Sequence, residues 1–321
     1  MVRLVNRLTD RLMQNRQLAG KLALFLAALI WGSSFVVVKN TVDTISTEFL
    51  LGFRFPLAAL LLALVFHKSL LRFDAVYLRQ GLILGVLLFA AYYTQTIGIT
   101  DTTPGKNAFL TAVYCAVVPF LYWAVDRLRP DVYNIAAALM CIGGIGLVSL
   151  TADFRIGIGD GMTLVGAFFY AAHIVALAKF TRGRDAMLLT MIQFAACGVL
   201  AWLCFALLRP GVPELTSANI SALLYLTVFC SAMTLSLQSF GQKYTDPASA
   251  SILLSLESVL GVVFSVVFYN EPITLRLLLG FAVIFAAVMV SETKLGFIRG
   301  RGAGDKKTGG KKSLDKAVDL G

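Results

Sequence analysis

The sequence predicts an all-α membrane protein in which ten transmembrane helices form two inverted-topology five-helix repeats around a central cavity. Three observations predict this fold: the composition, ten long apolar segments and an internal repeat. Of the 321 residues, 58% are hydrophobic and 14% are charged, and the mean hydropathy is +0.80. A water-soluble fold of this length still exposes a large surface, so this composition indicates that lipid surrounds the chain.

Ten segments are long and apolar enough to cross a bilayer, which takes roughly 20 residues per helix. They cover residues 22–42, 47–67, 76–99, 104–124, 132–150, 160–180, 186–208, 217–240, 247–269 and 273–292. A basic segment precedes them at 1–21, and a basic tail rich in glycine and lysine follows at 294–321. The polar composition of that tail predicts disorder.

The distribution of lysine and arginine predicts the orientation. An even number of spans places both termini on one side, and 22 of the 28 basic residues then lie on that side. Because basic residues concentrate in cytoplasmic loops, we expect cytoplasmic N- and C-termini. The net charge of +10 therefore indicates contact with anionic membrane lipid and not with nucleic acid.

The chain matches itself at an offset of 143 residues. The stretch containing Gln95, Gly98, Thr102 and Pro104 falls on the stretch containing Gln238, Gly241, Thr245 and Pro247. Because each half has an odd number of spans, the second repeat (160–293) crosses the membrane in the opposite sense to the first (22–150). Such halves can exchange conformations, and they place a binding site between them near the bilayer midplane.

Two charged residues lie deep within the predicted spans. Glu257 is about ten residues, or ~15 Å, into the ninth span, and Arg54 is about seven residues, or ~10 Å, into the second. Charge inside a bilayer is costly and indicates function, so we expect Glu257 to bind a substrate amine or carry a proton. Arg54 is expected to hold a substrate carboxylate or phosphate. Either side chain could instead be structural, through a hydrogen bond, a salt bridge or contact with the interface.

Further candidates for the cavity wall are polar or aromatic residues within the spans. Tyr170 and His173 share a helical face at i, i+3, and Gln95 and Gln238 are the amides related by the repeat. The remaining candidates are Trp31, Tyr92, Tyr93 and Tyr114. Aromatic rings can receive a cationic ligand. Each of these residues could alternatively serve helix packing or interface anchoring.

Several short motifs occur in a fixed order along the chain. They are Trp31-Gly32-Ser33-Ser34-Phe35, Arg54-Phe55, the stretch 109–119, the stretch from Leu253 to Ser258, and Asn270-Glu271-Pro272. Their order and spacing over about 21–293 resemble the EamA-type drug/metabolite transporters. The resemblance implies a ten-helix basket whose cavity opens to one side at a time, and export or exchange of metabolites, amino acids or drugs. Together with the compact loops, it also implies a bacterial inner membrane.

The sequence therefore predicts a secondary transporter that exports or exchanges small metabolites by alternating access. The expected substrates are amino acids, related metabolites or amphipathic compounds, and the expected partners are a small-molecule substrate and membrane lipids. We expect a monomer, because both halves of the cavity belong to one chain. No catalytic residue, cofactor or metal is expected: the glycines at 157–159 lack the Lys-Ser/Thr of a phosphate loop, and the five cysteines contain no CxxC.

Two other classes of membrane protein remain open alternatives. An intramembrane enzyme that modifies a lipid or metabolite would need a cluster of catalytic side chains near one interface, whereas His173 and Glu257 are isolated in the sequence. A channel would need rings of repeated polar residues along a pore. No such rings are visible in the sequence, and the inverted repeat favours alternating access over a channel.

Overall fold

The computed structural model describes residues 2–127, 129–150, 156–181, 183–245 and 247–294. Within these ranges the chain is helical apart from short loops and one isolated bridge between Leu150 and Ile156. The helices are α1 (Val2–Val42), α2 (Thr47–Val65), α3 (Ala75–Thr100), α4 (Pro104–Ala112), α5 (Tyr114–Asp126), α6 (Val132–Ser149), α7 (Ile158–Phe180), α8 (Ala186–Leu208), α9 (Ser217–Leu224), α10 (Thr234–Tyr244), α11 (Pro247–Tyr269) and α12 (Leu275–Thr293). Beyond Lys294, the predicted disordered tail lies outside the described residues.

The prediction of an all-α membrane protein with ten transmembrane helices is confirmed. Among the described residues, eight helical segments are long and apolar enough to cross a bilayer, and two shorter apolar helices cover Leu253–Tyr269 and Leu275–Ser291. These ten segments coincide with the ten predicted spans.

Three spans differ from their predicted form. Helix α1 begins at Val2, although its apolar part begins only at Arg16, so residues 2–21 continue the first span as helix. This stretch contains no proline, and its first glycine is Gly20, so nothing in it terminates a helix. The fourth span consists of α4 and α5, which meet at Val113. The eighth contains a π-helical turn, Tyr225–Met233, between α9 and α10.

Short polar loops fix the ends of the helices. In the part of the chain that the structure describes, seven residues accept backbone N–H groups of the first helical turn with their side chains: Ser46, Asp74, Thr103, Asp131, Asp185, Thr216 and Thr274. These N-caps satisfy donors that lack a partner inside the helix. Pro104 occupies the first turn of α4, where its missing N–H costs nothing.

The two halves pack mainly against each other. Helix α3 packs on α7 and α8, and the repeat-related contacts are α10 on α1 and the π-helical turn on α2. Likewise, the contact of α5 with α7 corresponds to the contact of α11 with α1. Two further contacts, α2 with α8 and α6 with α12, each join a helix to its own counterpart in the other half. Exchanging the halves thus reproduces the most extensive contacts between helices, as two inverted repeats require.

Glycines allow the closest of these crossings. A Cβ added at Gly98 of α3 would lie 2.7 Å from the carbonyl oxygen of Gly159 in α7. The repeat-related crossing pairs Gly241 of α10 with Gly20 of α1, where the corresponding distance is 2.9 Å. Small residues let helix backbones approach closely in a membrane. The two halves therefore meet through a pair of glycines at each of these two repeat-related crossings.

Candidate functional site

A central cavity of about 250 Å³ lies between the two halves. Its walls come from α1 to α5, from α7, α8, α10 and α11, and from the π-helical turn. Of the ten residues predicted from the sequence, nine line this cavity: Trp31, Arg54, Tyr92, Gln95, Tyr114, Tyr170, His173, Gln238 and Glu257. Folding therefore brings together residues from spans that are far apart in the sequence.

Tyr93 is the exception, and the expectation that it lines the cavity is wrong. It follows Tyr92 on α3, and consecutive residues of an α-helix point in directions about 100° apart. The Tyr93 hydroxyl donates to Oε1 of Glu48 at 2.7 Å, and its ring stacks on Phe89 with a centroid distance of 5.1 Å. Tyr93 thus serves the packing of α2 against α3.

Arg54 is a buried cation in the cavity wall. Its side chain is held by Ser231, whose Oγ accepts from Nε at 2.8 Å. The guanidinium carbon lies 5.1 Å from the centre of the Tyr92 ring and 5.5 Å from that of Phe55, within the range of a cation–π interaction. Arg54 is only 3% exposed and forms no ion pair with a described residue. Its contacts with the described residues are thus one hydrogen bond and two aromatic ring faces.

The π-helical turn Tyr225–Met233 shapes this part of the wall. The wider turn leaves the carbonyl oxygen of Cys230 accessible, and it accepts from Nε1 of Trp31 at 2.9 Å. The next residue, Ser231, presents its hydroxyl to Arg54. One irregular turn of the second half thus positions two cavity residues of the first half.

Glu257 is the anionic counterpart of Arg54. It lies in the middle of α11 and lines the central cavity, as well as a second pocket of about 20 Å³. Its carboxylate forms no hydrogen bond or ion pair with a residue of the described ranges. The cavity therefore presents a basic and an acidic side chain that do not pair with each other.

Polar side chains between these charges are linked across helices. The hydroxyl of Tyr170 donates to Oε1 of Gln95 at 2.9 Å, and Nε2 of Gln95 donates to Oγ1 of Thr111 at 2.8 Å. Separately, Nε2 of His173 lies 2.6 Å from Oε1 of Gln193. Tyr170 and His173 both reach the cavity, as their shared helical face predicts.

A buried polar layer joins the two halves at the side of the loop 101–103. Lys106 forms an ion pair with Asp160 across the two halves, with Nζ and Oδ2 2.6 Å apart. Asp160 is 3% exposed and also accepts from the Thr102 hydroxyl. Opening the cavity on this side would require separating and hydrating these groups.

Glu271 strengthens the same layer from the loop between α11 and α12. Its carboxylate accepts from the backbone N–H of Gly105 at 2.9 Å and from the hydroxyls of Thr103 and Ser265. Glu271 is buried, and it caps the N-terminal end of α4. The Asn-Glu-Pro motif noted in the sequence thus supplies a contact between the halves.

Ion pairs on the opposite side, where α1 begins, are more exposed. Arg72 pairs with Asp185 at 3.1 Å, and the Arg72 side chain is 68% exposed. Arg184 lies 3.8 Å from Asp74, whose side chain is also largely exposed. Exposed pairs contribute little stability, so these pairs hold the halves together less strongly than the buried layer does.

Sequence reasoning missed Thr111, Gln193 and Ser231, which lie in the cavity wall. Each is a polar side chain within a mostly apolar span, and that is the signal that could have identified it. Their partners come from other spans, so the spacing along the sequence does not reveal them.

Within the described ranges, no group of three or more His, Cys, Asp or Glu residues could hold a metal ion. The arrangement is instead one of hydrogen-bonding, aromatic and singly charged groups around a cavity. Proteins of similar sequence indicate the kind of function that such a cavity serves.

The model of the EamA-like transporter family matches residues 18–150 and again residues 157–293. Each match covers one five-helix half. The chain belongs to the EamA-like transporter family. The resemblance predicted from the motifs is confirmed.

Relatives of this EamA-like chain are described as uncharacterized transporters. It is 30% identical over 278 residues to an uncharacterized transporter of Archaeoglobus fulgidus, covering 86% of this chain and 87% of that protein. It is 23% identical over 294 residues to the uncharacterized transporter YetK of Bacillus subtilis. A crystal structure with 17% sequence identity matches 88% of this chain and 99% of its own, with a TM-score of 0.62, and so shares the fold.

Proposed function

We propose that this EamA-like chain is a secondary transporter that exports or exchanges zwitterionic metabolites, above all amino acids and related compounds, by alternating access. One observation carries the proposal: Arg54 and Glu257 line one cavity between the halves without pairing with each other. A zwitterion satisfies both charges at once. Its carboxylate accepts from the guanidinium of Arg54, and its ammonium group donates to Glu257.

Aromatic residues between the charges favour an amphipathic substrate. The rings of Tyr92 and Tyr170 meet edge to face with centroids 5.3 Å apart, and Trp31 and Tyr114 add further aromatic surface. Such a wall accommodates an apolar side chain, and its ring faces attract a cation.

The inverted repeat supports the mechanism. Two similar halves can exchange conformations, which opens one gate as the other closes. The buried layer around Asp160 and Glu271 serves as the gate that is shut in this conformation, and the exposed pairs of Arg72 and Arg184 belong to the gate on the other side.

The setting proposed for this activity is a bacterial inner membrane, with both termini in the cytoplasm. The excess of basic residues on the side of the termini supports this orientation. A monomer suffices, because the cavity is built from one chain.

A thermal-shift screen of the detergent-purified chain tests the substrate class. Amino acids, nucleosides, choline-like amines and cationic dyes are compared, since a ligand of the native state raises the apparent unfolding temperature by mass action. We expect zwitterionic amino acids to stabilise the protein, and both Arg54→Ala and Glu257→Gln to abolish the shift. Stabilisation by cationic dyes alone, unaffected by Arg54→Ala, would reassign the site to amphipathic cations.

A further inference from the structure

The small pocket next to Glu257 lies between the fourth, ninth and tenth spans. It measures about 20 Å³, and its lining residues include Glu257, Thr111, Ser255 and Ser258 among mostly apolar residues of α4, α5, α11 and α12. A cavity needs roughly 10–15 Å³ and two or more polar partners to hold one water molecule. The pocket therefore meets both conditions for a single water.

Thr111 connects this pocket to the wall of the central cavity. Its side chain lines both spaces, and its Oγ1 accepts from Gln95 at 2.8 Å. A hydroxyl that accepts in this way still has one proton to donate. That proton has no acceptor among the described residues. Because Thr111 is buried, an acceptor has to lie in one of the two spaces that its side chain lines, and the small pocket has room for one water molecule.

We propose that one water molecule in this pocket accepts from the Thr111 hydroxyl and donates to the carboxylate of Glu257. It completes a hydrogen-bond relay in which each group donates to the next: Tyr170 to Gln95, Gln95 to Thr111, Thr111 to the water, and the water to Glu257. Ser258, whose hydroxyl donates to the carbonyl of Ser255 at 3.0 Å, supplies a second acceptor for the water.

The relay joins the two halves of the protein. Tyr170 and Glu257 belong to the second half, and the two links between them, Gln95 and Thr111, belong to the first. Hydrogen bonds to a charged acceptor are stronger, and linked hydrogen bonds reinforce one another. Charge on Glu257 therefore tightens the chain as far as Tyr170. In combination with the proposed transport function, a substrate ammonium at Glu257 would loosen this connection between the halves.

Other titratable or charged groups also face Glu257, and the test has to separate them. In the central cavity they are Arg54, Tyr92, Tyr114, Tyr170, His173 and Cys230, and in the small pocket Cys115. Only a carboxyl group gives the C=O stretching band of a protonated acid. That band identifies Glu257 when it disappears in Glu257→Gln.

Infrared difference spectroscopy between acid and alkaline samples of the purified full-length chain, without substrate, tests the relay. Thr111→Val removes the hydroxyl and keeps the shape of the side chain. We expect it to move the Glu257 band to higher frequency, because the carboxyl loses its hydrogen-bonded water. Thr111→Ser keeps the hydroxyl, and its band is expected to stay in the wild-type position.

A Glu257 band that is absent in the wild type, or that stays in place in Thr111→Val, overturns the proposal. So does an equal displacement in Thr111→Ser. Should Thr111→Val fail to fold, Ser258→Ala removes another hydroxyl of the pocket and is expected to displace the band in the same direction. The measurement involves no transport, so the two proposals can fail separately. If the band moves as expected but no substrate binds, only the proposed function is refuted. If the protein transports substrate but the band stays in place in Thr111→Val, only the relay is refuted.

Discussion

Nε of Arg54 donates to Oγ of Ser231 at 2.8 Å, although the two residues are 177 positions apart in the sequence. The bond joins a helix of the first half to the π-helical turn of the second. It holds the guanidinium in the cavity wall with its remaining N–H groups unpaired by any residue that the structure describes. Ser231 therefore positions the cation that the proposed substrate carboxylate meets.

Removing this hydroxyl should weaken substrate binding. We expect Ser231→Ala to lower the affinity for a carboxylate-bearing substrate about tenfold, since a hydrogen bond to a charged group contributes about 1.5 kcal/mol or more. Titration of the purified variant with the best ligand of the thermal-shift screen measures the effect. Ser221→Ala is the matched control, because Ser221 belongs to the same span but donates only to the backbone carbonyl of Ser217. Equal affinities in both variants would contradict the positioning role.

The Lys106–Asp160 pair should control access from the side of the loop 101–103. Lys106→Met leaves the buried carboxylate of Asp160 without its cation, which favours the open form where water reaches it. A cysteine at Val38, in the cavity wall, should then react with an impermeant thiol reagent at least tenfold faster, about 1.4 kcal/mol in population.

Two further variants make the gate experiment specific. Exchanging the charges in Lys106→Asp/Asp160→Lys should restore the slow rate, whereas Arg72→Met removes an exposed pair and should leave it unchanged. The parent chain without the cysteine at position 38 reports any reaction of the native thiols. A rate that does not respond to Lys106→Met would show that this pair is not part of the gate.

The glycine crossings should be sensitive to a single methyl group in both halves. Gly98→Ala and Gly241→Ala place a Cβ against the carbonyl oxygens of Gly159 and Gly20, so we expect each to destabilise the fold by about 1–3 kcal/mol. Gly143→Ala is the matched control, because nothing lies within 4 Å of its added Cβ and alanine favours a helix. Thermal unfolding in detergent compares the three. A loss at only one crossing would argue against their equivalence.

The free energy of unfolding should depend on pH through the carboxylate of Asp131. The hydrogen bond from Lys294, with Nζ 2.7 Å from Oδ2, lowers the pKa of Asp131 below its usual 3.8. A lowered pKa in the folded state stabilises the fold above pH 3.8, and this contribution is lost as the pH falls through the folded value. Asp131→Asn keeps the N-cap acceptor but removes the charge, so its acid unfolding curve should be flatter below about pH 4. An unchanged curve would contradict the pairing.

Hydropathy predicted the spans well because lipid imposes a simple requirement on each of them. Helices α8 and α11 begin and end at the predicted residues. The N-terminal extension of α1 was missed, because helix formation outside the membrane depends on propensity and not on apolar length. The π-helical turn was missed as well, since it depends on contacts with α1 and α2.

The charged and repeat-related residues of the cavity were predictable, because charge inside a membrane is rarely tolerated without a function. Tyr93 was misplaced because its neighbour Tyr92 already faces the cavity, and one residue further along a helix points elsewhere. Thr111 and Ser231 act through partners in other spans. Such relationships follow from the packing of the halves, which sequence spacing does not specify.

The most direct test asks whether Arg54 and Glu257 bind opposite ends of one substrate. The best-stabilising amino acid is compared with its amide, which lacks the carboxylate, and with its des-amino acid, which lacks the ammonium group. Dissociation constants are measured for all three ligands with the wild type, Arg54→Ala and Glu257→Gln. We predict that the wild type prefers the amino acid, that Arg54→Ala no longer distinguishes it from the amide, and that Glu257→Gln no longer distinguishes it from the des-amino acid. If both variants keep the wild-type preferences, the two charges do not form the substrate site.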